Sequence, residues 1–343
     1  MEYGAIDLHT KESQIRVVTS DGRIVLDQRI ATRRDRFTWL FGERPPMRIL
    51  LETGTESEWV AQHLESLGHD VVVADPNYAP MYGERTRRIK TDKRDVAALA
   101  EANRRGIYRP AHRVSAAQRD VRRRLRVRTH LVGMRRQAIS VMRAHLRAEG
   151  LRLRSGAAES MLARYRKLDV PAALQEVFAP LLELLEALEP LIRQADQWAK
   201  QQATRDPVTA RLTTAPGVGP IVALSFRATL DDVTRFSEAG HVTSYLGLVP
   251  RESSSGDRRC RGAITKAGPG HMRTLLLQAA WTVWRTPSGS AALHAWVRRL
   301  AERRGRKVAV VGLARRLARI LFAMWRDGHV FQPTRLTRSA VAA

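Results

Sequence analysis

The sequence of 343 residues contains one cysteine, Cys260, and no apolar run near the ~18 residues that a membrane-spanning helix requires. A single thiol excludes an intrachain disulfide, and it excludes a zinc site built from several cysteines. The opening residues lack a basic stretch followed by an apolar one, so we expect no secretory signal. These absences predict a cytoplasmic protein without disulfides.

Acidic residues are scarce relative to basic ones. The chain has 59 lysine and arginine residues against 34 aspartate and glutamate residues, a formal charge of +25, and only 7 of the cations are lysine. Residues 1–103 carry a net charge of −2, residues 104–154 carry +14, and the remainder carries +13. Because guanidinium groups pair with phosphates and stack on bases, this distribution predicts a nucleic acid partner. Acidic lipid and a purely solvated basic surface are the alternatives.

The first hundred residues alternate between strand and helix patterns. We expect strands over residues 3–8, 14–19, 23–30, 47–51 and 71–73, and helices over residues 57–67 and 92–103. Asp21-Gly22 between the second and third strands is typical of a hairpin turn. Three antiparallel strands followed by alternating helices and strands indicate an α/β domain with a mixed sheet.

The middle of the chain has a helical pattern. Apolar residues repeat every seven positions in two predicted helices. The first helix has one such series, Leu125, Val132, Ile139 and Leu146. The second helix has two series, one of Leu174, Leu181, Leu188 and Ala195 and the other of Phe178, Leu185, Ile192 and Ala199. Such helices pair either as a bundle within one chain or as a coiled-coil arm that also serves to join subunits, and the pattern leaves both open. Pro180 and Pro190 are expected to kink or interrupt the second helix.

The last third is mostly helical. It begins with the turn Pro216-Gly217-Val218-Gly219-Pro220, read either as a phosphate-facing helix-hairpin-helix turn or as a tight structural turn. A polar, glycine-rich segment over residues 251–270 is predicted to be a flexible loop. Helices are expected over residues 221–230, 272–284, 291–302 and 307–327, with tryptophans at core-like spacing for which base stacking is the alternative.

We therefore predict four regions: an α/β domain over residues 1–105, a basic helical region over 106–205, a C-terminal domain with a serine-containing loop over 206–330, and a tail over 331–343.

Four carboxylates are candidates for a metal site. Asp7 lies in an apolar strand and Glu52 ends another, and burying either without a partner would cost several kcal/mol. Asp92 and Asp95 are three residues apart, which places both on one face of a helix. Hard oxygen ligands that converge on Mg²⁺ explain all four positions together, and two ions about 4 Å apart would activate an attacking oxygen and stabilise the leaving one.

The segments around these carboxylates resemble a known family. Residues 4–9, 50–54 and 90–97, which read GAIDLH, LLETG and KTDKRDVA, are similar to the DEDD set of RuvC-like nucleases with the RNase H fold. In particular they resemble the insertion sequence 110 family of transposases, relatives of the Piv invertase. The C-terminal motifs follow the same family in order: PGVGP at 216–220, YLGLVP at 245–250, SSG at 254–256, GAITKAG at 262–268 and Met272-Arg273. The resemblance covers nearly the whole chain.

The resemblance implies a RuvC-like domain whose metal ligands are Asp7, Glu52, Asp92 and Asp95, with Mg²⁺ or Mn²⁺ as the cofactor. It also implies a serine that joins covalently to DNA. By motif this nucleophile is Ser255, with Ser254 in reserve, although a serine-rich run alone indicates only a loop. The implied partners are donor and target DNA, a structured bridge RNA, and further copies of the chain as a dimer or tetramer, with action at the nucleoid of a prokaryotic cell.

Basic residues in two places are candidates for binding the nucleic acid backbone. The candidates, for each of which a solvated surface is the alternative, are Arg122, Arg123 and Arg124 in the basic region and Arg258, Arg259, Arg261, Lys266 and Arg273 around the serines.

The sequence thus predicts a DNA transposase or recombinase that cuts and rejoins strands. The first alternative is a metal-dependent, RuvC-like nuclease of the Holliday-junction type, in which water attacks and the serine is idle. The second is a non-catalytic nucleic-acid-binding protein, which the complete set of four carboxylates argues against.

Overall fold

The computed structural model describes residues 1–83, 92–255, 258–286 and 289–333, and over residues 253–255 and 258–261 it describes the backbone alone. The chain forms two compact units, Met1–Val114 and Ser115–Ala343. In the described part of the chain, no helix combines the length and apolar character needed to cross a membrane. Most of the predicted tail, from residue 334 onward, lies outside the described residues.

A five-stranded mixed sheet organises the first unit. Its elements are β1 (Glu2–Leu8), β2 (Glu12–Thr19), β3 (Ile24–Ala31), α1 (Arg34–Phe41), β4 (Arg48–Glu52), α2 (Ser57–Ser66), β5 (Asp70–Ala74) and α3 (Asp92–Arg105). The strand order is β3-β2-β1-β4-β5; β1, β2 and β3 are antiparallel, whereas β4 and β5 run parallel to β1. The expected α/β unit with a mixed sheet is confirmed, and α1 is an element that the sequence analysis did not predict.

Helices cover both faces of this sheet. On one face, α1 and α2 bury Phe37, Phe41 and Leu64 against Ile6 and Ile15. On the other face, α3 buries Val96, Leu99 and Ala100 against Ala5 and Leu50. Because successive side chains of a strand point to opposite faces, alternation assigns Asp7 and Glu52 to the α3 face together with Ala5 and Leu50.

A buried amide holds α3 on the sheet. The Asn103 Nδ2 atom donates to the carbonyl oxygens of Gly4, at 2.8 Å, and Arg48, at 2.9 Å, which lie on the neighbouring strands β1 and β4. This side chain is only 1% exposed. Since both carbonyls belong to strands that carry a candidate carboxylate, Asn103 fixes the far end of α3 relative to those strands.

The second unit is mostly helical, as the sequence predicts. Its elements are α4 (Ala116–Ala148), α5 (Met161–Tyr165), α6 (Ala172–Arg205), α7 (Pro207–Leu212), α8 (Pro220–Leu230), α9 (Ala239–Tyr245), β6 (Pro250–Ser255), β7 (Arg258–Ile264), α10 (Gly270–Arg285), α11 (Ala291–Arg304) and α12 (Arg306–Arg326). Residues from α8, α10, α11 and α12 form its main apolar core.

The two long helices α4 and α6 pack against each other, antiparallel and within one chain. Leu125 near the start of α4 contributes to one apolar cluster with Ala199 near the end of α6. Met142 and Leu146 near the end of α4 share another cluster with Phe178 near the start of α6. The heptad positions therefore serve an intrachain pair. A coiled-coil arm between subunits stays a prediction.

The structure corrects two expectations about this unit, an interruption of α6 at its prolines and a loop over the serine segment. Pro180 and Pro190 do not interrupt α6, which is continuous from Ala172 to Arg205. Both prolines lie on its exposed side, where water can satisfy the carbonyls that lose their helical partner. Residues 250–264 are not a featureless loop, because β6 and β7 form an antiparallel hairpin in which Glu252 pairs with Arg261 and Ser255 with Arg258.

The turn before α8 has a structural role. Gly217 has φ +73°, and a Cβ atom there would lie 2.5 Å from the Ala279 carbonyl oxygen of α10. Only glycine combines that backbone conformation with such a close approach. The structure therefore supports the tight structural turn that the sequence left as one of two alternatives.

Candidate catalytic carboxylate site

Two of the predicted carboxylates lie at the carboxyl ends of adjacent parallel strands. Ile6 of β1 is in register with Leu51 of β4, so Asp7 and Glu52 are the next residues of each strand. Both lie on the α3 face of the sheet by alternation. Parallel neighbours bring their carboxyl ends to the same edge, which places the two carboxylates side by side although 45 positions separate them in the chain.

The other two carboxylates lie in the first turn of α3. Asp92 is the first residue of the helix and is partly exposed, whereas Asp95 is 5% exposed. Carboxylates are favourable at this end of a helix because the backbone N–H groups there carry partial positive charge. The dipole thus offsets part of the repulsion between the helical pair and the two strand residues.

The pKa of Asp7 shows that all four groups interact. Burial of the side chain raises this pKa above its usual value, and the negative charges of Asp95, Asp92 and Glu52 raise it further, while His9 opposes them. A cluster of like charges disfavours ionisation of each member. The charges of the other three carboxylates thus act on Asp7, and ligand atoms of Asp7 and Asp92, together with His9, lie within 4.8 Å of one another.

Three further polar side chains contact the carboxylates. The His9 Nε2 atom lies 3.5 Å from Asp7 Oδ2 and 3.6 Å from Asp92 Oδ1. The Arg29 guanidinium donates to Asp92 Oδ2 at 2.6 Å, and the Tyr82 hydroxyl donates to Glu52 Oε1. None of these three residues is among the site residues predicted from the sequence.

The sequence signals that place His9 and Arg29 near the carboxylates differ. His9 follows Asp7 by two residues, so its proximity was visible in the chain. Arg29 is 63 residues from Asp92, and it reaches the site because Gln14 of β2 is in register with both Asp7 and Arg29. Asp7, Gln14 and Arg29 therefore lie next to one another across three strands, and only the strand pairing reveals this.

The donor set fits a divalent cation. Asp7 Oδ2 is buried and makes no hydrogen bond within the described residues, and Asp7, His9 and Asp92 each offer a ligand atom within 4.8 Å of the others. A buried carboxylate oxygen without a donor is unfavourable, and a metal ion bound there would relieve that cost. Carboxylate oxygens suit Mg²⁺ and Mn²⁺, and the imidazole nitrogen suits transition metals.

Two of the predicted nucleic-acid-binding residues donate to backbone carbonyl groups. Arg122 is half-buried, and its guanidinium donates to the carbonyl oxygens of Ala228 at 2.7 Å and Thr229 at 2.9 Å, at the end of α8. Arg273 donates to the carbonyls of Leu246 and Ala267. Both residues therefore pack against neutral backbone, and their contacts to nucleic acid stay predictions.

The remaining basic candidates stay predictions. Arg123 is exposed, and Arg124 pairs with Asp120 at 2.9 Å while its guanidinium lies 5.2 Å from the Trp198 ring centroid. Lys266 is exposed on the loop before α10. The side chains of Ser254, Ser255, Arg258, Arg259 and Arg261 lie outside the described part of the chain, as do Gly256 and the residues 84–91 that precede α3.

The tryptophans of the C-terminal helices are packing residues with arginine over their faces. Trp325 is buried, and the Arg227 guanidinium lies 4.5 Å from its ring centroid. Trp284 and Trp296 are half-buried, and Arg298 and Arg316 lie 3.9 Å and 4.7 Å from their respective centroids. The packing interpretation is favoured, because each of these ring faces already has a cationic neighbour.

Two family models match this chain. Residues 5–149 match a model of DEDD transposases of the IS110 group, and residues 209–295 match the model described as Transposase IS116/IS110/IS902 family. The first match contains all four carboxylates, and the second contains the β6–β7 hairpin.

Curated relatives match along most of their length. A probable family 20 transposase of Pseudomonas aeruginosa is 29% identical over 96% of this chain and 98% of its own length. The transposase for insertion sequence element IS1328 of Yersinia enterocolitica is 27% identical over 95% of this chain and 97% of its own length. The transposase for insertion sequence element IS1111A of Coxiella burnetii is 25% identical over 93% of this chain and 88% of its own length.

The matches define the class of protein as a transposase, a DNA-processing enzyme. The chain belongs to the IS110/IS116/IS902 family of transposases.

Proposed function

We propose that the protein is the recombinase of an insertion sequence, which cuts donor and target DNA and rejoins the strands through a serine–DNA intermediate. The observation that carries the proposal is the convergence of Asp7, Glu52, Asp92 and Asp95 at one edge of the sheet. The strand order and the position of α3 agree with the RuvC-like, RNase H fold that the resemblance implies.

The four carboxylates are the proposed ligands of two divalent ions, Mg²⁺ or Mn²⁺. Ions bound there would lower the pKa of the attacking hydroxyl and neutralise charge at the phosphate. Arg29 holds Asp92 through an ion pair, and Tyr82 holds Glu52 through a hydrogen bond. Both residues orient the carboxylates that they contact, as outer-shell partners of metal ligands generally do.

Ser255 is the proposed nucleophile. Its Oγ attacks phosphorus, its proton passes to a base, and the bond between phosphorus and one strand's oxygen breaks, so that strand leaves as a free hydroxyl. A phosphoserine ester preserves the phosphate ester bond that the second transfer needs, whereas hydrolysis discards it. Support comes from the position of Ser255 within the matched region 209–295 and at the end of β6.

The basic parts of the chain supply the proposed contacts to nucleic acid. Residues 104–154 carry 16 arginines against two acidic residues, a density that favours a polyanionic partner. Guidance by a structured bridge RNA and assembly as a dimer or tetramer are proposed on the family resemblance, because strand exchange requires more than one active site.

Covalent capture of cleaved DNA tests the proposal. End-labelled DNA carrying the element's termini is incubated with the protein, noncoding element RNA and Mg²⁺, and the products are separated on denaturing gels. We expect a labelled protein–DNA adduct for the wild type and for Ser254→Ala, the matched control, and no adduct for Ser255→Ala or Asp7→Asn.

Two other outcomes assign the chemistry differently. Loss of the adduct in Ser254→Ala with retention in Ser255→Ala would move the nucleophile one residue earlier. Nicked ends without any adduct, unaffected by either serine substitution, would identify water as the nucleophile and a RuvC-like nuclease as the function. The carboxylate site is consistent with that alternative, because metal ions bound there would activate water as well as a serine.

A further inference from the structure

A cleft lies where α4 ends and the following loop begins. Its volume is about 300 Å³, and the residues that line it are Arg143, Arg147, Leu151, Arg152, Leu153 and Ser155. Arg143 and Arg147 are four residues apart on α4, so they extend from the same face of the helix. The loop supplies the opposite wall.

The residues that line the cleft include positively charged side chains and no negatively charged one. Three of the six lining residues are arginine and none is acidic. The Arg143 Nε atom is buried and makes no hydrogen bond within the described residues. Three cations that converge on a concave site repel one another, and a desolvated N–H donor without an acceptor is unfavourable. Both penalties are removed when an anion occupies the cleft.

Other arginines of α4 have a different environment. Arg128 forms an ion pair with Asp196 at 2.5 Å, and Arg135 forms ion pairs with Glu159 at 2.9 Å and Glu189 at 3.1 Å. For the three cleft arginines, no ion pair is found in the part of the chain that the structure describes. Arg128 and Arg135 are thus neutralised by neighbouring segments of the chain, whereas the arginines of the cleft can pair with an external anion.

We propose that the cleft binds one nucleotide of a single-stranded nucleic acid segment. Arg143, Arg147 and Arg152 hold its phosphate, because guanidinium groups bind phosphate through paired N–H donors. Leu151 and Leu153, both half-buried, contact the sugar or the base. A regular duplex presents its phosphates on a convex surface and keeps its bases stacked inside, so a concave site with an apolar wall fits an unpaired nucleotide.

This inference rests on the proposed function only for the choice of nucleic acid as the partner. Binding is therefore measured without cleavage, in EDTA, by fluorescence anisotropy with labelled 12-nucleotide strands of DNA and of RNA and with the matching duplex. Arg143→Gln/Arg147→Gln and Arg152→Gln test the cleft. Arg136→Gln, an exposed arginine of the same helix outside the cleft, is the matched control.

We expect the double variant to weaken single-strand binding by about tenfold and to reduce the salt slope by about one phosphate contact, with a smaller effect on the duplex. The strand affected, DNA or RNA, identifies the source of the phosphate. Equal losses in the cleft variants and in Arg136→Gln, or no loss for either strand, would overturn the proposal. Because binding is measured in EDTA and without cleavage, failure of the catalytic proposal leaves this result unchanged.

Chemical labelling gives a second measurement that needs no variant. Phenylglyoxal modifies accessible guanidinium groups, and Arg147 and Arg152 are exposed. Bound single strand should protect both from modification, as read by mass spectrometry, while Arg136 keeps its reactivity. Unchanged modification of Arg147 and Arg152 at saturating strand would contradict the assignment.

Discussion

Asp7 lies where both burial and neighbouring charge disfavour its ionised form. Glu52, Asp92 and Asp95 repel it, and one of its oxygens has no hydrogen bond within the described residues. Such a carboxylate reduces the stability of the metal-free fold, and its presence is explained by what it binds rather than by packing.

The first prediction concerns this residue. In EDTA, Asp7→Asn should leave the melting temperature unchanged or slightly higher, because the substitution removes repulsion. Added Mg²⁺ or Mn²⁺ should raise the melting temperature of the wild type, because metal at 100 times its dissociation constant adds about 2.7 kcal/mol to the free energy of unfolding. The metal should not raise the melting temperature of the variant. Differential scanning calorimetry measures both.

Asp27→Asn is the matched control on the same sheet. Asp27 accepts a hydrogen bond from Gln14 at 2.6 Å and pairs with Arg16, so its substitution should lower the melting temperature in EDTA and keep the response to metal. A full metal response in Asp7→Asn would contradict the ligand assignment.

Arg122 and Arg123 are adjacent and chemically identical, yet the structure gives them different roles. Arg122→Gln leaves the carbonyls of Ala228 and Thr229 without their donors, and we expect it to destabilise the protein by about 1–3 kcal/mol in urea unfolding. Arg123→Gln should change stability by less than ~0.5 kcal/mol and should reduce the salt slope of DNA binding. Equal stability of the two variants would refute the packing role of Arg122.

At the scale of single elements, the turn between α7 and α8 gives a sharp comparison. Gly217→Ala places a Cβ atom 2.5 Å from the Ala279 carbonyl oxygen at a φ of +73°, and we expect a loss of about 1–3 kcal/mol. At Gly219 a Cβ atom meets nothing within 4 Å, so Gly219→Ala should cost at most about 1 kcal/mol. Similar losses in both variants, measured by urea unfolding, would contradict the close contact with α10.

The elements differ in how far the sequence predicts them. The strands β1 and β4 and the helix α3 are predictable because their apolar periodicity is strong, and the carboxylates interrupt that periodicity at defined positions. The heptads of α4 and α6 predict two long helices correctly. They do not tell an intrachain pair from an intersubunit one, since both bury the same apolar stripe.

Other elements escape prediction for identifiable reasons. The hairpin β6–β7 has polar strands, so its residues show no apolar alternation. The prolines of α6 are tolerated because they face solvent, which depends on the rotation of the helix rather than on local sequence. Arg29 reaches Asp92 through strand pairing between β1, β2 and β3, a relation that no local pattern contains.

At the scale of the whole molecule, net charge distinguishes the region that contains the carboxylate site from the rest of the chain. The near-neutral first 103 residues, with a net charge of −2, contain the carboxylate site, whereas the rest of the chain carries a net charge of +27. In the segment 270–326, which contains α10, α11 and α12, Glu302 is the only acidic residue beside 12 basic ones. Such a distribution favours a long polyanion over a small acidic ligand.

The claim that the protein rejoins DNA through Ser255 is tested most directly by isotope-resolved mass spectrometry of a cleavage reaction run in ¹⁸O-labelled water. Trypsin releases residues 252–258, ESSSGDR, as one peptide. We expect this peptide to carry a nucleotide on Ser255, and we expect no ¹⁸O in the phosphate at the cut site before the strands rejoin. An unmodified peptide, together with ¹⁸O in the terminal phosphate of the cut strand, would show direct hydrolysis and contradict the claim.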